Sequence, residues 1–115
     1  MGAAGSTGRG EANLYNLCSF LIVENLRRGM HPKDAGLDAC RRIKANTIEK
    51  RLRNSKGNPN FNINFYVLNA KGEYAGVAMY REGGTPVSQA TYAVCTEKGA
   101  ETLPCEPLLE GKPED

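Results

Sequence analysis

The sequence predicts an α+β fold, two helices followed by three or four antiparallel strands. Three observations carry this prediction. Apolar residues recur at helical spacing through 12–28 and again through 32–53. From Phe61 to Leu68 they alternate instead, as in a half-buried strand. Asn69-Ala70-Lys71-Gly72 then turns the chain into a second apolar run, Tyr74 to Tyr80. A sheet of this kind needs helices on one face and a further layer on the other. The 115 residues supply one helical layer, so the isolated chain is expected to expose an apolar sheet edge or face.

The chain opens on Gly2-Ala3-Ala4-Gly5-Ser6-Thr7-Gly8-Arg9-Gly10-Glu11. A glycine-rich turn (1–11) that leads into a helix aims unpaired N–H groups and the positive end of the helix dipole at one point. That point suits a carboxylate, a phosphate or the oxyanion of an amide under attack, and Thr7 adds a hydroxyl donor. Two nucleotide motifs are excluded. A phosphate loop needs Lys and Ser or Thr after its last glycine, whereas Glu11 and Ala12 follow Gly10. A dinucleotide fingerprint needs a third glycine where Asn13 stands, and a strand before Gly5, where only Met1 to Ala4 precede. A flexible Gly/Ser-rich tail remains the alternative.

Ala12 to Arg28 reads as one helix, with Leu14, Leu17, Cys18, Leu21 and Ile22 in a stripe that Phe20 and Val23 widen, so burial on more than one face is expected. Glu11 suits its first turn, Arg27 and Arg28 its last, and Gly29 its C-cap. Pro32 opens a second helix that runs to about Arg53, making 12–53 a helical pair. Ala35, Ala39, Cys40, Ile43, Ile48 and Leu52 form its apolar face. Its other side is basic, but no aromatics interleave with the charges and Asp38 and Glu49 interrupt them, which favours a solvated face over a nucleic-acid interface.

Asn54 to Asn60 is a loop by composition. Antiparallel strands are expected over 61–110: after the hairpin, Arg81 to Gln89 reads as a polar loop, Ala90 to Thr96 as a third strand, and Thr102 to Leu108 as a short extended piece broken by Pro104 and Pro107. Gly111 to Asp115 reads as a frayed tail. No internal repeat divides the chain, and it is read as a single, incomplete domain.

Composition narrows the function classes. A net charge of +2 forces neither a nucleic-acid nor a membrane partner. No apolar run approaches the ~20 residues that span a bilayer, and no basic-then-apolar leader opens the chain, so a cytoplasmic location is the default. Cys18, Cys40, Cys95 and Cys105 are too widely spaced for a zinc site, with His31 the one histidine. No metal and no cofactor is expected. Cys18 and Cys40 read as small core residues; whether Cys95 and Cys105 pair across a turn stays open.

Gly5-Ser6-Thr7-Gly8-Arg9-Gly10-Glu11-Ala12-Asn13, then Ile22 to Met30 and Pro32-Lys33-Asp34-Ala35, resembles the C-terminal part of the β subunit of the glycosylasparaginases. These are the N4-(β-N-acetylglucosaminyl)-L-asparaginases of the N-terminal-nucleophile hydrolase superfamily. The similarity continues through Asn62–Tyr80 and reaches about Leu109. It implies a partial αββα sandwich whose second sheet and outer helices lie in residues outside this chain. It implies hydrolysis of the amide between a sugar amine and the side-chain carbonyl of asparagine, with an N-terminal Thr as nucleophile and its own α-amine as base. Thr7 Oγ and the Gly8 N–H then correspond to the oxyanion donors, Thr7, Gly8, Arg9 and Gly10 to the substrate-binding turn, and Glu11 to a group trimming its charge. A cysteine matching Cys40 forms a disulfide in eukaryotic relatives, but its partner position here is Val67. Complete members of the family are often periplasmic or lysosomal.

Three departures matter. The 115 residues hold no His-Asp-Thr cleavage site, no Arg-x-x-Asp segment and no α subunit. Gly84-Thr85, followed by Pro86, reads as a loop rather than a cleavage site. Thr7 as a substitute nucleophile fails because its nitrogen is an amide, not an amine, and His31 lies across the first helix. The expectation is therefore a fragment that supplies oxyanion and substrate-binding residues without the nucleophile. Its partners would be a β-aspartyl amide and the missing N-terminal portion, with further oligomerisation open. The alternative is a non-catalytic α/β module that binds a partner or an amino-acid-like ligand.

Overall fold

The computed structural model describes residues 1–83 and 88–114, and the predicted hairpin lies at its centre. β2 (Ile63–Asn69) and β3 (Tyr74–Tyr80) pair antiparallel, with Phe65 opposite Val77 and Val67 opposite Ala75. Alternation sends Ile63, Phe65 and Val67 into the core, while Asn64 and Tyr66 face outward and are half-buried. The turn is fixed by Asn69, whose Oδ1 accepts from the Lys71 and Glu73 N–H groups, and by Gly72 at φ 84°.

The glycine-rich start is neither a turn nor a tail. Gly2–Gly8 form an edge strand, β1, antiparallel to β2 from Gly2 opposite Asn69 to Gly8 opposite Ile63. Glycine is a poor strand former, so tertiary packing decides here. The helical segment that carries Leu26 lies close across β1, and a Cβ at Gly2 would sit 2.7 Å from Leu26 Cδ1. The turn shrinks to Arg9, between Gly8 and the first residue of α1 (Gly10–Asn16).

The expected single helix is two. α1 stops at Leu17, which adopts left-handed angles (φ 50°, ψ 42°), and α2 (Cys18–Arg27) restarts at once. The cause is Asn13. Its Oδ1 accepts from the Ser19 N–H at 3.0 Å, a side-chain bond that competes with continuation of the helix ladder. The break turns much of the predicted stripe to solvent: Leu14, Leu17 and Phe20 are each more than 60% exposed. Cys18, Ile22 and Leu26 reach the core. The helix is thus buried on one face, not on several.

α3 (Pro32–Asn46) is also shorter than expected, ending before a separate 3-10 turn at Lys50–Leu52. The Thr47 hydroxyl bonds back to the Ile43 carbonyl where the helix closes, and Ile48 is exposed rather than in the core. Ala35, Gly36, Ala39, Cys40 and Ile43 do face the sheet. Gly36 sets the contact distance, since a Cβ there would lie 2.7 Å from Val77 Cγ2. Ile22, Ile43, Ile63, Phe65, Val77 and Met79 are fully buried between helices and sheet. Each such side chain contributes about 1.5–3 kcal/mol.

The later strands depart from one antiparallel sheet. The main sheet has the order β1-β2-β3-β8, and β8 (Glu106–Leu109) runs parallel to β3. Glu82–Gly83 (β4) and Ser88–Gln89 (β5) pair briefly within the stretch read as a loop. The Gly84-Thr85-Pro86 segment lies outside the described residues. β6 (Thr91–Thr96) and β7 (Gly99–Pro104) form a separate hairpin. It lies over the outer face of the main sheet, where the Tyr92 ring covers Gly76 and meets Tyr74 edge-on at 6.5 Å. The outer face is therefore partly covered, and among the described residues the sheet is left open at its two edge strands, β1 and β8. The end of the chain is not frayed up to Pro113, which is buried and whose carbonyl accepts from Asn54 Nδ2.

All four cysteines are free. Cys95 pairs with Ala100 beside the β6–β7 turn, while Cys105 follows Pro104 at the hairpin's far end, which excludes a bridge between them.

Candidate oxyanion site

Thr7 and Gly8 end β1, and the ladder fixes where their donors point. The Ala70 N–H bonds to the Met1 carbonyl at 2.8 Å. Antiparallel bonding alternates along the strand. From that bond, Thr7 and Asn64 form a bonded pair, and Gly8 and Ile63 a non-bonded one. The Gly8 N–H is therefore directed away from β2, off the free edge. The Thr7 side chain stands on the outer face. The two donors are therefore neighbours at the end of β1, one on the outer face and one in the plane of the sheet.

Glycine is required at this corner. Gly8 has φ 108°, and a Cβ would lie 2.9 Å from the Asn62 carbonyl oxygen and 3.1 Å from Ile63 Cα. Asn13 holds the strand end from below, with Nδ2 donating to Ser6 Oγ at 2.9 Å and to Ser19 Oγ at 3.0 Å. The residue that broke the dinucleotide pattern thus ties β1 to the start of α2. On the outer face Thr7 Oγ1 lies 2.5 Å from the Tyr66 hydroxyl.

Thr7 and Gly8 line one open cavity of about 290 Å³ with Asn62, Asn64, Gln89 and Thr91. Asn62 is committed to structure: its Oδ1 accepts from the Tyr80 N–H at 2.9 Å and from the Ile63 N–H at 3.0 Å. Asn64, directly across from Thr7, has no side-chain hydrogen bond among the described residues. Strand alternation alone puts Asn64 on the outward face; only the register brings it to Thr7.

Arg9 and Gly10 go elsewhere. Arg9 pairs with Glu11 at 3.2 Å, and its guanidinium lies 5.2 Å from the Phe61 ring centre. Both charged residues line a different, polar cavity of about 540 Å³ with Tyr15, Asn46 and Arg51. Gly10 lies in a third hollow beside Leu14 and Phe20. Of the four residues grouped by sequence, the structure brings together Thr7 and Gly8.

Neither His31 nor any of the four cysteines lines the cavity of Thr7 and Gly8. His31 caps α3, its Nδ1 accepting from the Lys33 N–H, and it lies near Met1 at the opposite end of β1. Burial pushes the thiols up, to about 11 for Cys18, about 12 for Cys40 and about 11 for Cys105, which leaves them protonated and unreactive near neutrality. The described His, Cys, Asp and Glu residues form no group that could hold a metal ion, and no described helix is long and apolar enough to cross a membrane.

No family model matches the chain. The chain is similar to the N(4)-(Beta-N-acetylglucosaminyl)-L-asparaginase of Elizabethkingia miricola, 35% identical over 74 residues. The matched stretch covers 64% of this chain and 21% of the relative, so the chain spans about a fifth of the relative's length.

Proposed function

We propose that this chain carries the oxyanion-binding part of a glycosylasparaginase-type amidohydrolase, corresponding to the C-terminal part of the β subunit. The observation that supports it is the end of β1, where Thr7 and Gly8 line one cavity beside a strand edge that no described strand pairs. Hydrolysis of a β-aspartyl amide passes through a tetrahedral intermediate bearing an oxyanion. Each preorganised donor aimed at that charge contributes roughly 10²–10³ in rate. The similarity to an asparaginase selects this reaction among the others that need such a hole.

On this reading, the nucleophile comes from a portion of the enzyme outside these 115 residues, seated against the free edge of β1. Its attacking Thr uses its own α-amine as base, with a pKa near ~8 suited to neutral pH. The amide carbonyl then lies between that Thr and the Thr7–Gly8 corner. Asn64 faces the same space, its amide without a hydrogen bond among the described residues, and is placed to bind a polar group of the substrate. The Arg9–Glu11 pair stands on the far side of the turn and holds the start of α1.

The test is hydrolysis of N4-(β-N-acetylglucosaminyl)-L-asparagine. The chain alone is predicted to be inactive, and mixing it with the N-terminal portion of the Elizabethkingia relative to restore turnover. Turnover by the purified chain alone would contradict the assignment of roles. A second reading, a non-catalytic binding module, is favoured by the hairpin over Gly76, which already covers part of the face a second sheet would occupy. It predicts cooperative unfolding of the monomer without dye-binding apolar surface, and no activity in any mixture.

A further inference from the structure

We propose that Tyr66 is a positioning residue of the oxyanion site, its hydroxyl donating to Thr7 Oγ1 and so turning the Thr7 O–H toward the anion. The proposal rests on the reading of Thr7 given above.

The geometry comes from the register. Tyr66 lies opposite Gly5, and Thr7 is two residues further along β1 on the same face. A diagonal neighbour of this kind is within reach of an aromatic side chain but not of a short one. On the other side Tyr66 pairs with Gly76, and the Tyr92 ring already occupies the space over that glycine. The Tyr66 ring therefore leans toward β1. It forms one wall of an apolar groove of about 420 Å³ shared with Gly5, Tyr74 and Tyr92, while its hydroxyl reaches Thr7 at the neighbouring cavity.

In the free chain either oxygen can be the donor of the Thr7–Tyr66 bond. An anion in front of Thr7 removes that freedom. Thr7 must then give its hydrogen to the anion, and Tyr66 must give its own to Thr7. The chain of donors Tyr66 to Thr7 to oxyanion polarises each link in the same direction. A threonine without this partner spends part of its time with its hydrogen turned to water.

The test is a double-mutant cycle in the enzyme restored from this chain and the N-terminal portion. Tyr66→Phe should lower kcat roughly three- to tenfold, the size of one net hydrogen bond, with KM unchanged. Thr7→Ala should lower kcat ~10²–10³-fold, and adding Tyr66→Phe to it should change nothing further. Wild-type kcat in Tyr66→Phe, or a full additive loss in the double variant, overturns the role of Tyr66 while leaving that of Thr7 intact. A fully active Thr7→Ala overturns the oxyanion reading itself, and the role of Tyr66 with it. Side-chain coupling constants of Thr7, measured by NMR on the chain alone, test the positioning without any turnover. One rotamer should dominate in the wild type and averaging should appear in Tyr66→Phe; an unchanged rotamer population overturns the proposal.

Discussion

Gly8→Ala should destabilise the chain although it adds one methyl group at its surface. At φ 108° a residue with a side chain is strained by about 1–2 kcal/mol. The new Cβ would also meet two backbone atoms of the β2 segment, the Asn62 oxygen at 2.9 Å and Ile63 Cα at 3.1 Å. Backbone cannot swing aside as a side-chain tip can, and overpacking of this kind costs about 1–3 kcal/mol. The sum, about 2–5 kcal/mol, is a large share of the ~5–15 kcal/mol that holds a domain folded. At roughly 4 °C per kcal/mol for a chain of this length, Tm should fall by about 8–20 °C. Thermal and urea unfolding followed by circular dichroism measures this directly. Gly5→Ala and Gly10→Ala are the controls, because a Cβ at either meets nothing within 4 Å and neither has a positive φ. Both should be neutral or stabilising by up to about 1 kcal/mol. Wild-type stability in Gly8→Ala, or an equal loss in Gly5→Ala, would refute this reasoning.

Gly76→Ala should expel the Tyr92 ring, whose nearest atom lies 2.3 Å from the added Cβ, and should free the β6–β7 hairpin from the sheet at a cost of about 1–3 kcal/mol. Faster amide exchange confined to 91–104 would report it, and unchanged exchange there would count against the packing described. In the native chain Cys95 alone should react quickly with a thiol reagent at pH 8, because it is the exposed cysteine while burial raises the other three thiols. One fast equivalent in buffer and four in denaturant is the expected stoichiometry. The same raised thiols make stability fall with alkali. Their contribution is complete below about pH 9, where folded and unfolded thiols are both protonated. It is lost as pH rises through about 11–12, because the unfolded state releases its protons first. A melting temperature that rises between pH 9 and 11 would contradict the burial of these side chains.

The β2–β3 hairpin was legible because alternation and a Gly-containing turn both act locally. The α3 face was legible for the same reason, down to Ala35, Ala39, Cys40 and Ile43. The glycine-rich start was not. In sequence Gly2, Gly5, Gly8 and Gly10 look alike, yet a side chain would collide at Gly2 and Gly8 and meet open space at Gly5 and Gly10. That distinction depends on where β2 and α2 lie, which no local pattern records. The break at Leu17 escaped periodicity because an Asn13 side-chain bond made it, in the middle of an unbroken apolar stripe. The placement of β6–β7 over Gly76 rather than beside β3 depends on long-range packing, and the parallel pairing of β8 does likewise. At the site, sequence placed Thr7 and Gly8 on one turn. Asn64 and Tyr66 needed the register, since both come from the other side of the β1–β2 ladder.

The most direct test of the central claim is the turnover of the Thr7→Ala variant in the enzyme restored from this chain and the N-terminal portion. With Thr7 as an oxyanion donor, kcat falls about 10²–10³-fold while the unfolding transition of the isolated variant stays close to that of the wild type. Full activity in that variant would show that Thr7 is not an oxyanion donor.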